Sequence, residues 1–434
     1  MASELLDPLA VLESIYESKE PHFYVERPSD GVALAGAEVA VRSSMEGGAR
    51  FASASGFIHK TLENAIAVGD SELPFFGPHF FCGFTFFDTV AVDEPFPPAT
   101  VFVPSWQVSV KSGVCVATAN ALVSEESDIQ GIATRIWNAN TKFKTFDYRS
   151  VESNSRESTR PDWQIEAISE EAGFRDSVAK AIDEIEAGSF EKIVLARAQN
   201  LRANQAFHPL EILNALRDRY PDCYSFSFAN GKGQSFIGAS PERLVKMENQ
   251  KLSTDALAGS APRGVSAMED ARFGRELMNS GKDRHEQKVV VDSICRRLNA
   301  MGLETSAPTT PKLKRLSNVQ HLYNEIVGKV PDGLNVIDFV SQLHPSPAVG
   351  GSPREEACSR INQYENFDRG LYAGPIGWVN SDLEGEFFVS IRSAMVDDDA
   401  ARLFAGVGIV KGSVPEKEVL ETDLKFKALL ENLI

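Results

Sequence analysis

The chain has 434 residues with 61 acidic and 44 basic side chains, a net charge of -17 at neutral pH. That field argues against general nucleic-acid or anionic-membrane binding, and it requires local cations wherever an anionic ligand is held. Hydrophobic content of 43% and charged content of 24% are ordinary for a soluble globular protein, and no apolar run approaches the eighteen or so residues of a membrane helix.

The length allows two or three domains, or one unit built on large mixed sheets. Cys82, Cys115, Cys223, Cys295 and Cys358 are scattered, odd in number and without a CxxC pair, the usage of reduced thiols in a cytosolic protein. No Cys/His cluster has zinc-ligand spacing. The beginning, MASELLDPLAVLESIYESKEP, is acidic and lacks the features of a secretory or transit peptide. A cytoplasmic location is expected.

In chain order, residues 1–20 have the period of an amphipathic helix. From Pro21 to about Val123 the pattern is strand-rich: HFYVERP, GVALAGAEVAVRS, GPHFFCGFTFFDTV, ATVFVPSWQVSV and GVCVATANALV are β-branched or aromatic runs broken by Gly, Pro, Asn and Asp. Phe75, Phe76, Phe80, Phe81, Phe84, Phe86 and Phe87 read as sheet core. Residues 149–165 are polar and turn-rich, a linker or exposed crossover. A helix follows, ending near Gly188. The strand EKIVLARAQNL and the helix HPLEILNALRDRYPD come next, then a hairpin of CYSFSFAN and QSFIGASPERLVKM.

KLSTDALAGSAPRG begins as a strand and ends in a loop. SAMEDARFGRELMNSGKDRHEQKVVVDSICRRLNAMG reads as one or two long helices, and VQHLYNEIVGKV as a strand. LNVIDFVSQL and REEACSRINQYE are helices around the loop HPSPAVGGSP. Three more strand runs, GLYAGPIGWV, EGEFFVSIRSAMV and ARLFAGVGIV, lead to an amphipathic helix with Pro415 near its start. Many strands are hairpin-linked and helices do not alternate strictly with them. The expected class is α+β with large antiparallel sheets, and no GxGxxG or Walker A sequence appears.

Several groups could carry chemistry. Asp283 and Glu286 share one helix face. They read either as a solvated charged face, the commoner case, or as ligands for a hard cation such as Mg²⁺. Glu418 and Glu421 repeat the spacing on the last helix, with Lys425 in the same stripe, so two helices each offer an acid pair. Lys192, in an apolar strand, is either an edge residue reaching water or a buried amine able to serve as a general base. Glu242, at a strand end after Pro241, is either a turn carboxylate or an acid whose proton burial retains. Arg392 in EFFVSIRSAMV needs an anionic partner. The turns DALAGSAPRG and FAGVGIVKG offer backbone N–H groups to an anion. His321 and His344 read as structural histidines beside turn-rich sequence.

Taken together, EKIVLARA, FIGASPERL, ALAGSAPRG, GKDRHEQKVVVD, VQHL, HPSPAVGGSP, FDRGLYAGPIGW, FFVSIRSA, LFAGVGIV and EKEVLETDLK, in that order over about residues 170–430, resemble the chorismate-utilising enzymes. That family includes the isochorismate, salicylate, anthranilate and aminodeoxychorismate synthases. The resemblance implies a sandwich of large antiparallel sheets with helices outside, residues 1–165 completing the fold whose catalytic region is 166–434. It assigns Glu286 and Glu421 as Mg²⁺ ligands, with Asp283 and Glu418 holding metal-bound water from behind. Arg392, the amides around Val407 and Gly408, and Lys425 would hold a substrate carboxylate, beside Gly259, Ser260, His321 and Ala348. Lys192 aligns with the base that activates water, and Glu242 with the acid that protonates a departing hydroxyl.

Lys192 is similar to the isochorismate and salicylate synthases, which add water, and Ser260-Ala261 and Ala348 to the isochorismate synthases; the amine-adding enzymes tend to carry Thr-Arg in place of Ser260-Ala261, and the salicylate synthases Thr in place of Ala348. The expected activity is the Mg²⁺-dependent isomerisation of chorismate to isochorismate, on the way to quinones, catechol siderophores or salicylate. The alternatives are salicylate synthesis and an inactive chorismate-binding homologue. No glutamine amidotransferase partner is expected, and the expected state is a monomer or homodimer.

Overall fold

The computed structural model describes residues 2–3, 6–15, 17, 19–144, 163–317 and 319–433. Two antiparallel sheets organise them, one of twelve strands and one of ten. Both sheets draw strands from both halves of the chain. In the larger, Pro21–Arg27 pairs with Tyr224–Asn230, Ser225 opposite Glu26. In the smaller, Phe80–Phe84 pairs with Pro375–Val379, Cys82 opposite Gly377.

The inner faces of the sheets meet through aromatic rings. Phe23 stacks on Phe81 with centroids 4.2 Å apart, and Phe226 lies 4.8 Å from Phe388. Phe80, Phe81, Phe84 and Phe86 are buried in this layer, as β-branched and aromatic side chains on pleated surfaces require. Helices cover the outside. The result is an α+β sandwich.

Three runs that read as continuous in sequence divide between the sheets. GVALAGAEVAVRS becomes Val32–Ala37 in the larger sheet and Val41–Met45 in the smaller, with Glu38 at φ 57° in the break. Gln234–Ser240 belongs to the larger and Arg243–Glu248 to the smaller, so Glu242 lies in the crossing rather than at the end of a strand. Gly385–Val389 and Ser393–Asp397 likewise belong to different sheets. Arg392 is therefore not inside a strand: it sits just before Ser393 at φ 52°, a left-handed conformation costly for a side chain with a Cβ.

Other expectations change too. Helices Arg50–Glu63 and Ile129–Lys144 lie outside the helices read from the sequence. The first buries Phe51, Ala54 and Ile58, a three- and four-residue spacing. The first helix is only Pro8–Ser14, started by Asp7, whose carboxylate accepts the Leu9 amide. Most of the polar stretch 149–165 lies outside the described residues, but Trp163–Ala167 forms a strand on Gln199–Ala203. The strand Lys251–Pro262 runs on through the expected loop, with a bulge at Gly259. The long helical stretch is two helices, Ala267–Asn279 and Gly281–Ala300. Ser280 divides them, its hydroxyl capping the second by accepting the Asp283 amide. No helix among the described residues is long and apolar enough to cross a membrane.

One buried ion pair ties the strand Lys192–Ala203 to its surroundings. Arg369, 1% exposed, donates to both Glu365 oxygens, to the Val194 carbonyl at 2.8 Å and to the Val349 carbonyl at 3.0 Å. Glu365 also accepts the Ala196 amide at 2.7 Å. The guanidinium lies 4.3 Å from the Phe86 ring centroid. Arg369→Met leaves Glu365 charged without its partner in a dry site and should cost about 3–5 kcal/mol, read from the denaturant midpoint; a loss under about 1 kcal/mol would show that the pair is not needed for the fold.

Candidate functional site

A cavity of about 450 Å³ opens between the two sheets' rims and the helices Gly281–Ala300 and Pro415–Leu433. It is lined by every residue to which the resemblance assigns a role: Lys192, Glu242, Gly259, Ser260, Asp283, Glu286, His321, Ala348, Arg392, Val407, Gly408, Glu418, Glu421 and Lys425. Lys282, Lys417 and Tyr372 also line it and were not singled out from sequence. His344 does not line it; its Nε2 is bonded to the Phe86 carbonyl, a structural role.

Lys192 is 1% exposed and flanked by strands on both sides, opposite Val410 and Ser352. The edge reading is thereby excluded. Its Nζ lies 2.8 Å from Glu286 Oε1. Glu286 is held because its neighbour Gln287 donates to the Ala256 carbonyl and to Asn324 Oδ1, both at 2.9 Å, pinning the helix onto two strands. Gly408 leaves the room: a Cβ there would lie 2.7 Å from Glu286 Oε1 and 3.2 Å from Lys192 Cε.

The acids of the two helices meet across the cavity. Lys282 bridges them by pairing with Glu418 at 3.2 Å. Lys425 pairs with Glu421 at 2.9 Å and donates to the Gly406 carbonyl at 2.7 Å. Burial, then repulsion from Glu286 and Glu421, raises the affinity of Asp283 for a proton. Burial, then Glu421 working against Lys282, does the same for Glu418. Among the described residues no group of three or more Asp, Glu, His or Cys side chains forms a ready-made cation cage. The donor set nonetheless suits a hard cation that takes one or two carboxylates and keeps water or substrate oxygens for the rest. A divalent charge would relieve the repulsion that raises Asp283 and Glu418.

Glu242 is 4% exposed, and its carboxyl is pushed up to about 8, by burial first and then by Asp255, against the opposing charges of Lys192 and Lys314. It is therefore largely protonated at neutral pH and able to donate.

Arg392 donates through Nη2 to His321 Nε2 at 3.1 Å. Burial, reinforced by Arg392, lowers His321 to about 3, so the ring is neutral. Nε2 then accepts, and Nδ1–H is left to donate to the Gly259 carbonyl at 3.1 Å, with Ser260 Oγ also at 3.1 Å. The other terminal nitrogen of Arg392, Nη1, is shielded from solvent and has no hydrogen-bond partner among the described residues. Such a donor suits an incoming carboxylate.

The strand Ala400–Val410 adds peptide donors. The Val194 amide bonds to Gly350, away from this strand, so Val194 and Gly408 face each other without exchanging hydrogen bonds. The Val407 amide thus points at Leu195, and the Gly406 and Gly408 amides point to the other side. Of the two peptides the resemblance assigns, Gly408 can donate to a ligand and Val407 is turned into the ladder; Gly406 is the second donor.

A sequence profile of the family described as "Chorismate binding enzyme" matches residues 1–434. The chain is 34% identical to the isochorismate synthase MenF of Bacillus subtilis over 364 residues, 82% of this chain and 75% of that protein. It is 41% identical to the salicylate biosynthesis isochorismate synthase of Pseudomonas aeruginosa over 256 residues, 59% of this chain and about half (53%) of that protein's length. The structure of MenF, the menaquinone-specific isochorismate synthase of Escherichia coli, superposes with a TM-score of 0.81 at 26% identity, covering 100% of this chain and 94% of that one. The chain belongs to the chorismate binding enzyme family.

Proposed function

We propose that the protein is an isochorismate synthase that moves the hydroxyl of chorismate from C4 to C2 by adding water and releasing the 4-hydroxyl. The observation that carries this reading is the pairing, in one cavity, of a buried lysine and a buried carboxyl that retains its proton, in a chain similar to named isochorismate synthases.

Lys192 takes a proton from water as the oxygen attacks C2. The ammonium so formed stands 2.8 Å from the Glu286 carboxylate, which stabilises the product of that proton transfer. Glu242 gives its proton to the 4-hydroxyl, which leaves as water while the double bonds shift. Each positioned acid or base is worth about 10²–10⁴ in rate. Arg392 Nη1 and the Gly406 and Gly408 amides hold a carboxylate, and His321 keeps the guanidinium oriented. Glu286 and Glu421 would hold Mg²⁺, with Asp283 and Glu418 behind them. When bound there, the ion supplies positive charge for the substrate's ring carboxylate. The five free cysteines suit work in the reducing cytoplasm.

Chorismate supplied with Mg²⁺ should give isochorismate by chromatography, with no pyruvate released. Salicylate plus pyruvate would establish the lyase reading instead, and no turnover the inactive one. Lys192→Gln should lower turnover by at least about 10² in a protein that still folds by circular dichroism, with a lower melting temperature because Glu286 is left unpaired; wild-type turnover would remove Lys192 from the base role. Glu286→Ala should abolish both turnover and the heat of Mg²⁺ binding in calorimetry; wild-type Mg²⁺ affinity in that variant would place the ion elsewhere.

A further inference from the structure

Behind Glu242 lies a second buried cluster that the reaction as derived does not use. Asp255, 4% exposed, projects from the strand Lys251–Pro262. Lys314, on the strand Lys312–Arg315, donates to Asp255 Oδ2 at 3.1 Å and to the Pro241 carbonyl at 2.7 Å. That carbonyl belongs to the peptide joining Pro241 to Glu242. On the far side of the acid, Arg243 Nη1 lies 3.8 Å from Asp255 Oδ1, and the Tyr323 hydroxyl donates to the same oxygen at 3.4 Å. The residues before and after Glu242 are thus both tied to one buried carboxylate.

We propose that Asp255, with Lys314, is a positioning residue for Glu242: it anchors the crossing that carries the acid and places a fixed negative charge behind it. This inference rests on Glu242 being the general acid. Glu242 is faced by Asp255 from the strand Lys251–Pro262, Lys314 from the strand Lys312–Arg315, Lys192 from the larger sheet, and the Ser346 hydroxyl from the loop after His344. Asp255 opposes ionisation of Glu242; the two lysines favour it. Glu242 donates only while protonated, so its ionisation, at about 8, sets an alkaline limb on kcat/KM in the direction of isochorismate formation. Removing the Asp255 charge lets Glu242 ionise at lower pH. Removing the Lys314 charge does the reverse.

The test is the pH profile of kcat/KM for Asp255→Asn, Lys314→Met and Lys314→Arg, with melting temperatures alongside. D255N should move the alkaline limb down by about one pH unit, and K314M should move it up. K314R, which retains the charge, should leave it in place. A role confined to folding would lower rates and melting temperature without opposed shifts. If D255N does not fold, the sign of the K314M shift decides. Wild-type limbs in both D255N and K314M, with Glu242→Gln inactive, would overturn the positioning role and leave the acid assignment standing. An active E242Q would overturn the acid assignment, and the inference with it.

Discussion

The buried pairing of Lys192 with Glu286 is the constraint on which the rest of the site depends. Moving two charges out of water costs several kcal/mol per ion even after relaxation, and the attraction between them returns this only with good geometry and further hydrogen bonds. The surrounding structure supplies that geometry from three directions. Gln287 fastens the glutamate's helix to two strands, Arg369 and Glu365 fasten the lysine's strand at Val194 and Ala196, and Gly408 leaves space between them. Buried ion pairs are poor contributors to stability compared with apolar residues of similar volume. The base role proposed for Lys192 would account for this one: an amine that takes a proton from water needs a counter-charge already in place.

The architecture explains why the other two reactive side chains stand where they do. Glu242 and Arg392 both lie where the chain leaves one sheet for the other. A side chain at such a crossing belongs to the rim of both sheets, not to the pleat of either. Its backbone is fixed by ladders on each side, as with the Val389 amide on the Glu242 carbonyl at 3.0 Å. Arg392 is held at φ 52° by this double attachment, a cost of order 1–3 kcal/mol that only an over-determined surrounding sustains. The site thus combines the mobility-free support of a sheet with the side-chain freedom of a loop.

How far the sequence reaches is clear from particular residues. The α+β class and the two acid pairs follow from period and spacing, which are local properties. The division of GVALAGAEVAVRS and EFFVSIRSAMV between sheets does not, because the residues at positive φ, Glu38 and Arg392, are not the glycines that mark such turns. The burial of Lys192 depends on which strands flank it, a fact of topology that alternation within one strand cannot supply. Choosing Gly406 over Val407 as a donor requires the register with Leu195. Lys282 stood inside the charged stretch already noted, but its partner Glu418 lies 136 residues away.

The charge of the cavity closes the electrostatic argument. Four cationic side chains line it, Lys282, Arg392, Lys417 and Lys425, beside the Lys192 amine proposed to accept a proton, against five acids, Glu242, Asp283, Glu286, Glu418 and Glu421. With Glu242 largely protonated and His321 neutral at pH 7, the lining carries no net charge inside a chain of -17. That local neutrality lowers the barrier to an anion set by the global field. A dicarboxylate would leave the cavity with two negative charges in surroundings of low dielectric, where uncompensated charge is costly. A divalent cation entering with it would return the cavity to neutrality. The proposed metal would thus answer the substrate's second carboxylate as much as the protein's own acids, which is consistent with acids that are paired to lysines rather than gathered into a cage among the described residues.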